Sequence, residues 1–277
     1  MKSKIPIIVL SYNRIDCLYL TISTLLSFID KDRYNIVVWD NCSDDVRIKD
    51  WALGKRVEFK HDYGKLKNFL ETIGCKQTFM SKNVFQMPLF DSEMLVFHSN
   101  EVNRTSKENG NADNVFSAID WADKTFSNPD YIHVIENDVI LCKECLEIAE
   151  KISLVETNVG TVQCGRGVKT ILFESNRKTF DGYAISDSDG AAAQYNCLNR
   201  KSLEAMKESH VFNSYVESKW FDCKLHHWLY KHGFRVVNFL DKSLYLHIGM
   251  TSSVGVDSFQ NNMTFNPDFE RLKIVGL

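Results

Sequence analysis

The sequence contains no apolar run that approaches the ~20 residues of a membrane-spanning helix. The first apolar run, residues 5–10, is short. It is followed by Asn13 and Arg14, where a signal peptide would carry the small residues of a cleavage site. We therefore expect neither a transmembrane helix nor a signal peptide, and we expect the protein to be cytoplasmic.

An excess of positive charge is also absent. The chain has 33 lysines and arginines against 36 aspartates and glutamates, which gives a net charge of −3. Without an overall basic field, the composition does not favour binding to nucleic acid or to an anionic membrane. A local basic patch remains compatible with this balance.

Cysteines are present, but they lack the spacing of a metal site. Of the eight, only Cys142 and Cys145 lie close together. One such pair, without a second cysteine or histidine pair, is a weak indication of zinc. Reduced thiols, many of them buried, are the expected state in a cytoplasmic chain.

The chain does contain enough apolar residues for one large domain. Its 277 residues are 44% hydrophobic and 25% charged, which is typical of globular proteins. Short β-branched runs alternate with segments of helical spacing. This alternation predicts an α/β fold with a mostly parallel central sheet flanked by helices.

The pattern gives approximate bounds for the elements. Predicted strands cover residues 5–10, 36–39, 56–59, 94–98, 131–135, 160–163, 195–198, 235–239 and 244–247. Predicted helices cover residues 16–29, 66–73, 115–126, 146–154, 201–209 and 218–232, with Gly233 as the C-terminal cap of the last one. Residues 60–92 are read as an insertion and residues 100–114 as a loop.

The most informative stretch is residues 131–140, where an apolar run ends in Glu136 and Asp138 before apolar residues resume. Strand side chains alternate with period two, so both carboxylates are expected on one face. Acidic groups beside a core need a cationic partner. A divalent metal carrying a diphosphate is one such partner, and a solvated turn after the strand is the alternative.

Four motifs in order resemble those of the GT-A nucleotide-sugar glycosyltransferases, most closely the family 2 type. Residues 6–14 (PIIVLSYNR) resemble the opening strand and turn of those enzymes, and residues 38–45 (VWDNCSDD) are similar to their second strand and acidic turn. Glu136-Asn137-Asp138 stands in the place of the D-x-D motif. Phe221-Asp222 and the later His247 match the acceptor-side acid and the late histidine.

The resemblance implies a nucleotide-diphosphate sugar as donor, with a UDP-sugar as the expected one, and Mn²⁺ or Mg²⁺ as the metal. It makes Asp138 and His247 the metal ligands, since carboxylate oxygens suit a hard cation and imidazole is tolerated. Glu136, which departs from the usual aspartate, would bind the metal through water or hold the donor's ribose or sugar. A packed core histidine is the alternative reading of His247.

The resemblance also implies a donor pocket at the ends of the first two strands. Asp40 would contact the donor's base or ribose, because a carboxylate accepts from the uracil N3–H or from ribose hydroxyls. The other donor-binding residues that it implies are Ser11, Tyr12, Asn13, Arg14, Asn111 and Asn137. Asp44 and Asp45 are instead expected to be turn or helix-capping residues.

Asp222 is the implied general base. It would take the proton of the acceptor hydroxyl as that hydroxyl attacks the anomeric carbon opposite the phosphate, which gives inversion. The usual Glu-Asp motif is Phe221-Asp222 here, so Asp222 is the sole acid at this place. The alternative is a first-turn helix carboxylate favoured by the helix dipole.

The same resemblance divides the chain. Residues 1–277 are expected to form a single GT-A catalytic domain, in which residues 1–145 mainly bind the donor and residues 146–250 mainly the acceptor. Residues 251–277 form a tail, whose first residues could fold over the diphosphate as a lid. The expected acceptor is a hydroxyl on a glycan or glycolipid.

Several weaker candidates lie on the acceptor side. Trp220 and Phe221 could stack on an acceptor sugar or could pack in the core. The small residues 190–193 would let a sugar approach the backbone closely, or would serve tight packing. Asp187 and Asp189 flank them and could touch hydroxyls of the donor sugar.

Three other functions remain open. A phage-type enzyme could glycosylate a hydroxymethylated base in DNA. The one cluster of lysines that could then contact the DNA phosphates lies in or near the insertion and comprises Lys65, Lys67, Lys76 and Lys82. A sugar nucleotidyltransferase would need a glycine-rich phosphate loop after the first strand, where residues 11–14 contain no glycine. A non-catalytic binding module would not need Asp40, Asp138, Asp222 and His247 together.

Overall fold

A computed structural model of the chain describes residues 3–55, 57–60, 84–86, 94–99, 110–166, 177–187, 194–209, 221–240 and 242–248. Its strands are β1 (Ile5–Ser11), β2 (Tyr34–Asp40), β3 (Glu58–Lys60), β4 (Val84–Gln86), β5 (Leu95–Ser99), β6 (Tyr131–Glu136), β7 (Val139–Leu141), β8 (Val159–Arg166), β9 (Lys178–Phe180), β10 (Tyr183–Asp187), β11 (Tyr195–Asn199), β12 (Arg235–Phe239) and β13 (Tyr245–His247). Its helices are α1 (Ile15–Leu26), α2 (Val46–Ala52), α3 (Gly110–Thr125), α4 (Cys145–Val155), α5 (Arg200–Glu208) and α6 (Phe221–Lys231).

A nine-stranded sheet organises these elements, in the order β5-β2-β1-β6-β11-β8-β12-β10-β9. The strands β5, β2, β1 and β6 pair in parallel, and so do β8 and β12. Strands β11 and β10 run antiparallel to their neighbours. The predicted α/β fold with a mostly parallel central sheet is confirmed. Its parallel half brings the carboxyl ends of β1, β2 and β6 to one edge, where ligands bind in open sheets of this kind.

The central strands are apolar because both faces of the sheet are covered. Along β1, Ile7 and Val9 face a core shared with α1, α2 and α4. Between them, Ile8 faces a second core, which is shared with α3, α5 and α6. Burial on both faces explains why β1 and β2 are nearly continuous apolar runs rather than alternating ones.

Most predicted elements are present, with ends that differ by a few residues. The predicted loop 100–114 is wrong at its end, because α3 begins at Gly110. Neither α2 nor β7 is predicted by the sequence pattern. The insertion read at residues 60–92 contains β4, which pairs antiparallel with β3, and the predicted helix 66–73 lies outside the described residues.

Gly233 ends α6 as predicted. Its φ of 74° is in the left-handed region, which glycine enters without steric cost. The next amide, that of Phe234, donates to the carbonyl of Leu229 at 2.9 Å. The chain therefore turns directly from α6 into β12.

A two-stranded sheet of β7 and β13 lies beside the acidic turn that ends β6. In this pair, His247 lies opposite Val139. The amide of Ile248 donates to the carbonyl of Asp138 at 2.8 Å. This small sheet therefore carries the late histidine to the turn that holds Asp138.

A buried ionic network ties α4 to β2 and β6. The carboxylate of Glu150 accepts from the Tyr34 hydroxyl at 2.8 Å, lies 3.0 Å from Nε2 of His133 and pairs with Arg33. Although burial raises the pKa of Glu150, these partners outweigh burial and hold it below its usual range. Breaking such a pair would leave an uncompensated buried charge, so we assign this network to the stability of the fold.

In the part of the chain that the structure describes, none of the helices combines the length and the apolar character needed to cross a bilayer.

We expect Gly160→Ala to destabilise the fold by about 1–3 kcal/mol, the usual cost of overpacking. A Cβ at Gly160 on β8 would overlap the side chain of Leu229 on α6 and lie 2.9 Å from Cβ of Phe234. Urea unfolding would measure the change. The control is Gly54→Asn, because Gly54 has a φ of 73° that asparagine tolerates and, apart from its chain neighbours, no described residue has an atom within 4 Å of an added Cβ. Equal stability of the two variants would contradict the close packing of α6 on β8.

Candidate active site

The turn between β1 and α1 holds two consecutive residues in the left-handed backbone region. Asn13 has a φ of 54° and Arg14 a φ of 52°, a conformation that costs free energy for residues other than glycine. Hydrogen bonds offset this cost. Oδ1 of Asn13 accepts from the amides of Asp44 at 2.9 Å and Asp45 at 3.2 Å, and its own amide donates to Oγ of Ser43 at 2.7 Å. The turn after β1 is thereby fixed to the turn after β2.

Asp40 ends β2 and is 2% exposed. Its carboxylate accepts from the amide of Ser43 at 2.9 Å and from the Ser43 hydroxyl at 2.5 Å. The neighbouring amide of Asn41 donates to the carbonyl of Ser11 at 2.8 Å, which joins the ends of β1 and β2. Asp40 therefore anchors this edge of the sheet, and its predicted contact with the donor stays a prediction.

Asp45 is the N-terminal cap of α2, as the sequence predicts. Its side chain accepts from the amide of Arg47 at 3.0 Å and also pairs with the Arg47 guanidinium. These bonds satisfy an amide that the helix leaves without a partner. Asp45 is thus committed to the helix rather than to a ligand.

The acidic pair and the late histidine meet at one point. Glu136 is the last residue of β6, and Asp138 lies in the turn before β7. Each of Glu136, Asp138 and His247 offers one ligand atom, and these atoms lie within 4.8 Å of one another. Nε2 of His247 lies 2.9 Å from Oδ2 of Asp138. The three residues predicted to surround the metal are therefore together.

Asn137, between the two carboxylates, ties the acidic turn to its surroundings. Its side-chain amide donates to the carbonyl of Asn13 at 3.2 Å, and its Oδ1 accepts from Nη2 of Arg14 at 3.2 Å. Its carbonyl accepts from the hydroxyl of Thr21 on α1 at 2.9 Å. Asn137 therefore positions the turn, and its predicted contact with the donor stays a prediction.

The two carboxylates differ in their protonation. Burial and the charge of Asp138 raise the pKa of Glu136 to about 7. Burial would also raise the pKa of Asp138, but His247 and Arg14 outweigh it and hold that pKa below its usual range. Burial lowers the pKa of His247, yet Asp138 and Glu136 raise it further, so the net shift is upward. Asp138 is thus the permanent anion, and Glu136 titrates near neutrality.

The cluster fits a divalent cation. Oδ1 of Asp138 and Nδ1 of His247 are buried and have no hydrogen-bond partner among the described residues, a costly state for polar atoms. Carboxylate oxygens suit Mg²⁺ and Mn²⁺, and one imidazole is tolerated. Within the described ranges, Glu136, Asp138 and His247 are the one group of three or more such side chains close enough to share an ion.

Binding of Mn²⁺ at pH 6 is expected to release more protons from the wild type than from Glu136→Gln, by up to about one proton. With its pKa at about 7, Glu136 is mostly protonated at pH 6, and a nearby cation favours the carboxylate. Affinity should therefore rise between pH 6 and pH 8. Calorimetry in buffers of different ionisation enthalpy measures the release, and equal release by both proteins would contradict a cation beside Glu136.

Asp222 lies in the first turn of α6. Its Oδ1 accepts from the amide of Cys223 at 2.9 Å, and its charge is among those that raise the pKa of Glu136. The two carboxylates are therefore within electrostatic reach of each other. The preceding Phe221 is buried and packs edge-on against Phe116 of α3, with ring centroids 5.3 Å apart. Of the two interpretations of Phe221, core packing is the one that the structure supports.

The other predicted residues are not part of the metal cluster. Ser11 ends β1 and is buried, Tyr12 follows it, and Asn111 lies in the first turn of α3 with a side chain outside the described part. Nε and Nη2 of Arg235 lie 2.7 Å and 2.6 Å from Oδ1 of Asp187, so the structure gives Asp187 an arginine partner. The remaining candidates lie outside the described residues: Lys65, Lys67, Lys76, Lys82, Asp189, residues 190–193, Trp220 and residues 251–277.

The pair Cys142 and Cys145 is buried in the core rather than arranged as a zinc site. Both side chains are 0% exposed, and no described histidine, cysteine or carboxylate completes a cluster around them. The seven described cysteines form no disulfide with one another. The weak zinc indication in the sequence therefore finds no support within the described ranges.

Two residues that position the site are not predicted from the sequence. Ser43 holds both Asp40 and Asn13, and Thr21 holds the carbonyl of Asn137. A serine three residues after a strand-ending aspartate is a common turn signal, which could have identified Ser43. Thr21 lies on the buried face of α1 and offers no such signal.

Comparison with known proteins supports the fold. No protein-family model matches the chain, and no curated protein matches its sequence. Among solved structures, the chain is similar to a mannosyltransferase from Pyrobaculum calidifontis in complex with GDP-Man and Mn²⁺ (13% identity, 87% of this chain and 57% of that one, TM-score 0.50). It is also similar to GalNAc-T7 with UDP, GalNAc and Mn²⁺ (10% identity, 85% and 42%, TM-score 0.52). A third similar structure is S. aureus TarS 1-349 (13% identity, 87% and 59%, TM-score 0.45).

The chain thus spans about 42–59% of the length of these three proteins. The likeness to the mannosyltransferase and to GalNAc-T7 shows that the chain has the GT-A fold. At these identities the likeness concerns the fold alone.

Proposed function

We propose that the chain is a divalent-metal-dependent glycosyltransferase that moves a sugar from a nucleotide-diphosphate donor to an acceptor hydroxyl with inversion. The observation that carries this proposal is the cluster of Glu136, Asp138 and His247. It lies at the carboxyl edge of the parallel strands in a GT-A sheet, the edge at which such sheets bind ligands.

The donor end of the proposal rests on the three turns at this edge. Hydrogen bonds of Asn13, Ser43 and Asn137 join the turns after β1, β2 and β6 beside the acidic cluster. Turns that are already held in place favour one orientation of the donor, because the protein loses less conformational freedom when the donor binds. Residues 11–14 and Asp40 would line the nucleotide there.

Asp138, His247 and Glu136 would hold the metal. A bound Mn²⁺ or Mg²⁺ would neutralise the charge that develops on the diphosphate leaving group. The structural neighbours support this part, since the mannosyltransferase holds GDP-Man and GalNAc-T7 holds UDP, both with Mn²⁺. We propose a UDP-sugar as the donor.

Asp222 is the proposed general base. It is half-buried at the start of α6, and no lysine or arginine in the described part of the chain pairs with its carboxylate. A carboxylate within electrostatic reach of Glu136 can accept the proton of a hydroxyl that attacks beside the metal cluster. The acceptor proposed is a hydroxyl of a glycan or glycolipid, and the proposed location is cytoplasmic.

A thermal-shift screen tests the proposal. Derivatives of UDP, GDP, dTDP and CMP would be added to the whole chain with and without Mn²⁺. A ligand that binds only the native state raises the melting temperature by mass action, so we expect a selective shift for UDP compounds that needs the metal. If no nucleotide raises the melting temperature in a metal-dependent way, the proposed function is wrong.

A further inference from the structure

The side chain of Arg14 reaches across the site to the proposed metal ligand. Its Nη1 donates to Oδ2 of Asp138 at 2.7 Å, and its Nη2 donates to Oδ1 of Asn137 at 3.2 Å. The Asp138 side chain is 2% exposed, whereas that of Arg14 is 25% exposed. A charge-assisted bond in such surroundings is among the stronger kinds of hydrogen bond. Asp138 therefore has a cationic partner that belongs to the chain itself.

The backbone commits Arg14 to this place. Its left-handed conformation, directly after left-handed Asn13, directs the side chain from the end of β1 towards the turn after β6. The bonds of Asn13 to Ser43, Asp44 and Asp45 hold that conformation. Strained backbone that is fixed from several sides is found preferentially at functional sites.

Arg14 and His247 converge on the same oxygen. Nη1 of Arg14 lies 2.7 Å and Nε2 of His247 lies 2.9 Å from Oδ2 of Asp138. A metal ion bound through Oδ1 of Asp138 and Nδ1 of His247, the two atoms without a partner among the described residues, would share the Asp138 carboxylate with Arg14. It would also stand beside a guanidinium that keeps its charge at any pH, and like charges this close repel strongly in a buried site.

We propose that Arg14 is a built-in competitor of the divalent cation: it neutralises Asp138 in the metal-free protein, releases it when the metal binds, and then turns to the donor diphosphate. The competition for Asp138 requires only the metal site. The contact with the diphosphate rests on the proposed glycosyltransferase function, since a diphosphate is the anion that the released guanidinium would meet beside the metal.

A purely structural role for Arg14 gives the opposite expectation. If Arg14 only held Asp138 in place, its removal would leave the carboxylate less well oriented and would weaken the binding of metal. Competition instead predicts tighter binding of metal when the guanidinium is removed. The sign of the change therefore separates the two roles.

The experiment measures Mn²⁺ binding to the whole chain without nucleotide, by the electron paramagnetic resonance signal of free Mn²⁺. Arg14→Met keeps an unbranched, flexible side chain, though a shorter one, and removes the charge, and we expect it to bind Mn²⁺ about tenfold more tightly than the wild type. Arg14→Lys keeps a charge and should stay within about threefold of the wild type. Unchanged or weaker binding by Arg14→Met, including no binding by either protein, would overturn the proposal.

Arg47→Met is the matched control. Arg47 also pairs with a carboxylate at this edge, with Nη2 at 2.6 Å from Oδ2 of Asp45, but it does not contact the cluster. Arg47→Met should leave the affinity for Mn²⁺ unchanged. A tenfold gain in affinity by this variant would show that the loss of any positive charge at this edge strengthens binding of the cation. The side-chain ¹⁵N resonance of Arg14 in the wild type gives a second reading that needs no variant, because Mg²⁺ should shift it, and no shift at saturating Mg²⁺ would count against release.

A nucleotide arm separates the two proposals. With Mn²⁺ saturating, Arg14→Met should bind UDP about tenfold more weakly than the wild type, although it binds the metal more tightly. Equal affinity of Arg14→Met and the wild type for UDP would contradict the proposed contact between Arg14 and the diphosphate. If the wild type binds Mn²⁺ but no nucleotide at all, the glycosyltransferase function fails, while the competition for Asp138 is still decided by the metal measurement.

Discussion

Asp138→Asn is expected to abolish metal-dependent sugar transfer, with a fall in turnover of at least ~10³-fold. The change removes the anionic ligand from the cluster and keeps the size of the side chain. Metal stabilisation of a leaving group contributes several kcal/mol, and three powers of ten correspond to about 4 kcal/mol. The measurement is release of nucleotide from the donor identified by thermal shift, with Mn²⁺ affinity determined in parallel.

Asp120→Asn is the control for Asp138→Asn. Asp120 is a carboxylate on α3 that pairs with the exposed Lys124 at 2.6 Å, four residues further along the helix. An exposed pair of this kind contributes ~0.5 kcal/mol or less to stability, so turnover should be unchanged. Because Asp138 is buried beside Arg14 and His247, circular dichroism must show that Asp138→Asn is folded. A folded Asp138→Asn that keeps wild-type, metal-dependent turnover would contradict the proposed site.

Asp222→Asn is expected to lower kcat by ~10²–10⁴-fold, the usual contribution of a positioned general base. The KM for the donor should change little, because a general base acts on the acceptor hydroxyl and does not hold the donor. Asparagine can still accept the bond from the amide of Cys223, so the helix start is preserved. Steady-state kinetics with separate variation of donor and acceptor would measure both parameters.

The matched control for Asp222→Asn is Asp113→Asn, which changes a first-turn carboxylate of α3 instead of α6. A role as a helix-dipole partner alone would give both variants a similar loss of stability, about 0.3–1 kcal/mol, and no specific loss of kcat. Equal kcat for Asp222→Asn and the wild type would remove Asp222 from the reaction. A rise in donor KM with unchanged kcat would move it to donor binding.

The strands could be predicted from the sequence because burial on both faces leaves a strong local signal. The apolar runs of β1, β2 and β6 locate three neighbouring strands, and the polar residues that follow them locate the edge where the site lies. The position of Glu136 and Asp138 could be predicted for the same reason, because they end the apolar run of β6. Local patterns therefore located the acidic half of the site.

The rest of the site depends on contacts between distant segments. His247 joins Asp138 across 109 positions, and no local pattern links them; only the resemblance to a known family indicated the pairing. Ser43 and Thr21 act through hydrogen bonds to other turns, which depend on the tertiary packing. The early start of α3 at Gly110 was missed because three of the four residues of its first turn, Gly110, Asn111 and Asp113, are of types more typical of loops.

The small sheet of β7 and β13 has a consequence for the order in which the site is completed during synthesis. Strands β1, β2 and β6 and the acidic turn are all synthesised before residue 142, whereas β13 with His247 is synthesised about a hundred residues later. At ~5–20 residues per second, a nascent chain would pass through several seconds with two carboxylates in place and no histidine. The complete ligand set is therefore a property of the finished domain, and a chain that ends before Tyr245 would lack both the histidine and the strand that pairs with β7.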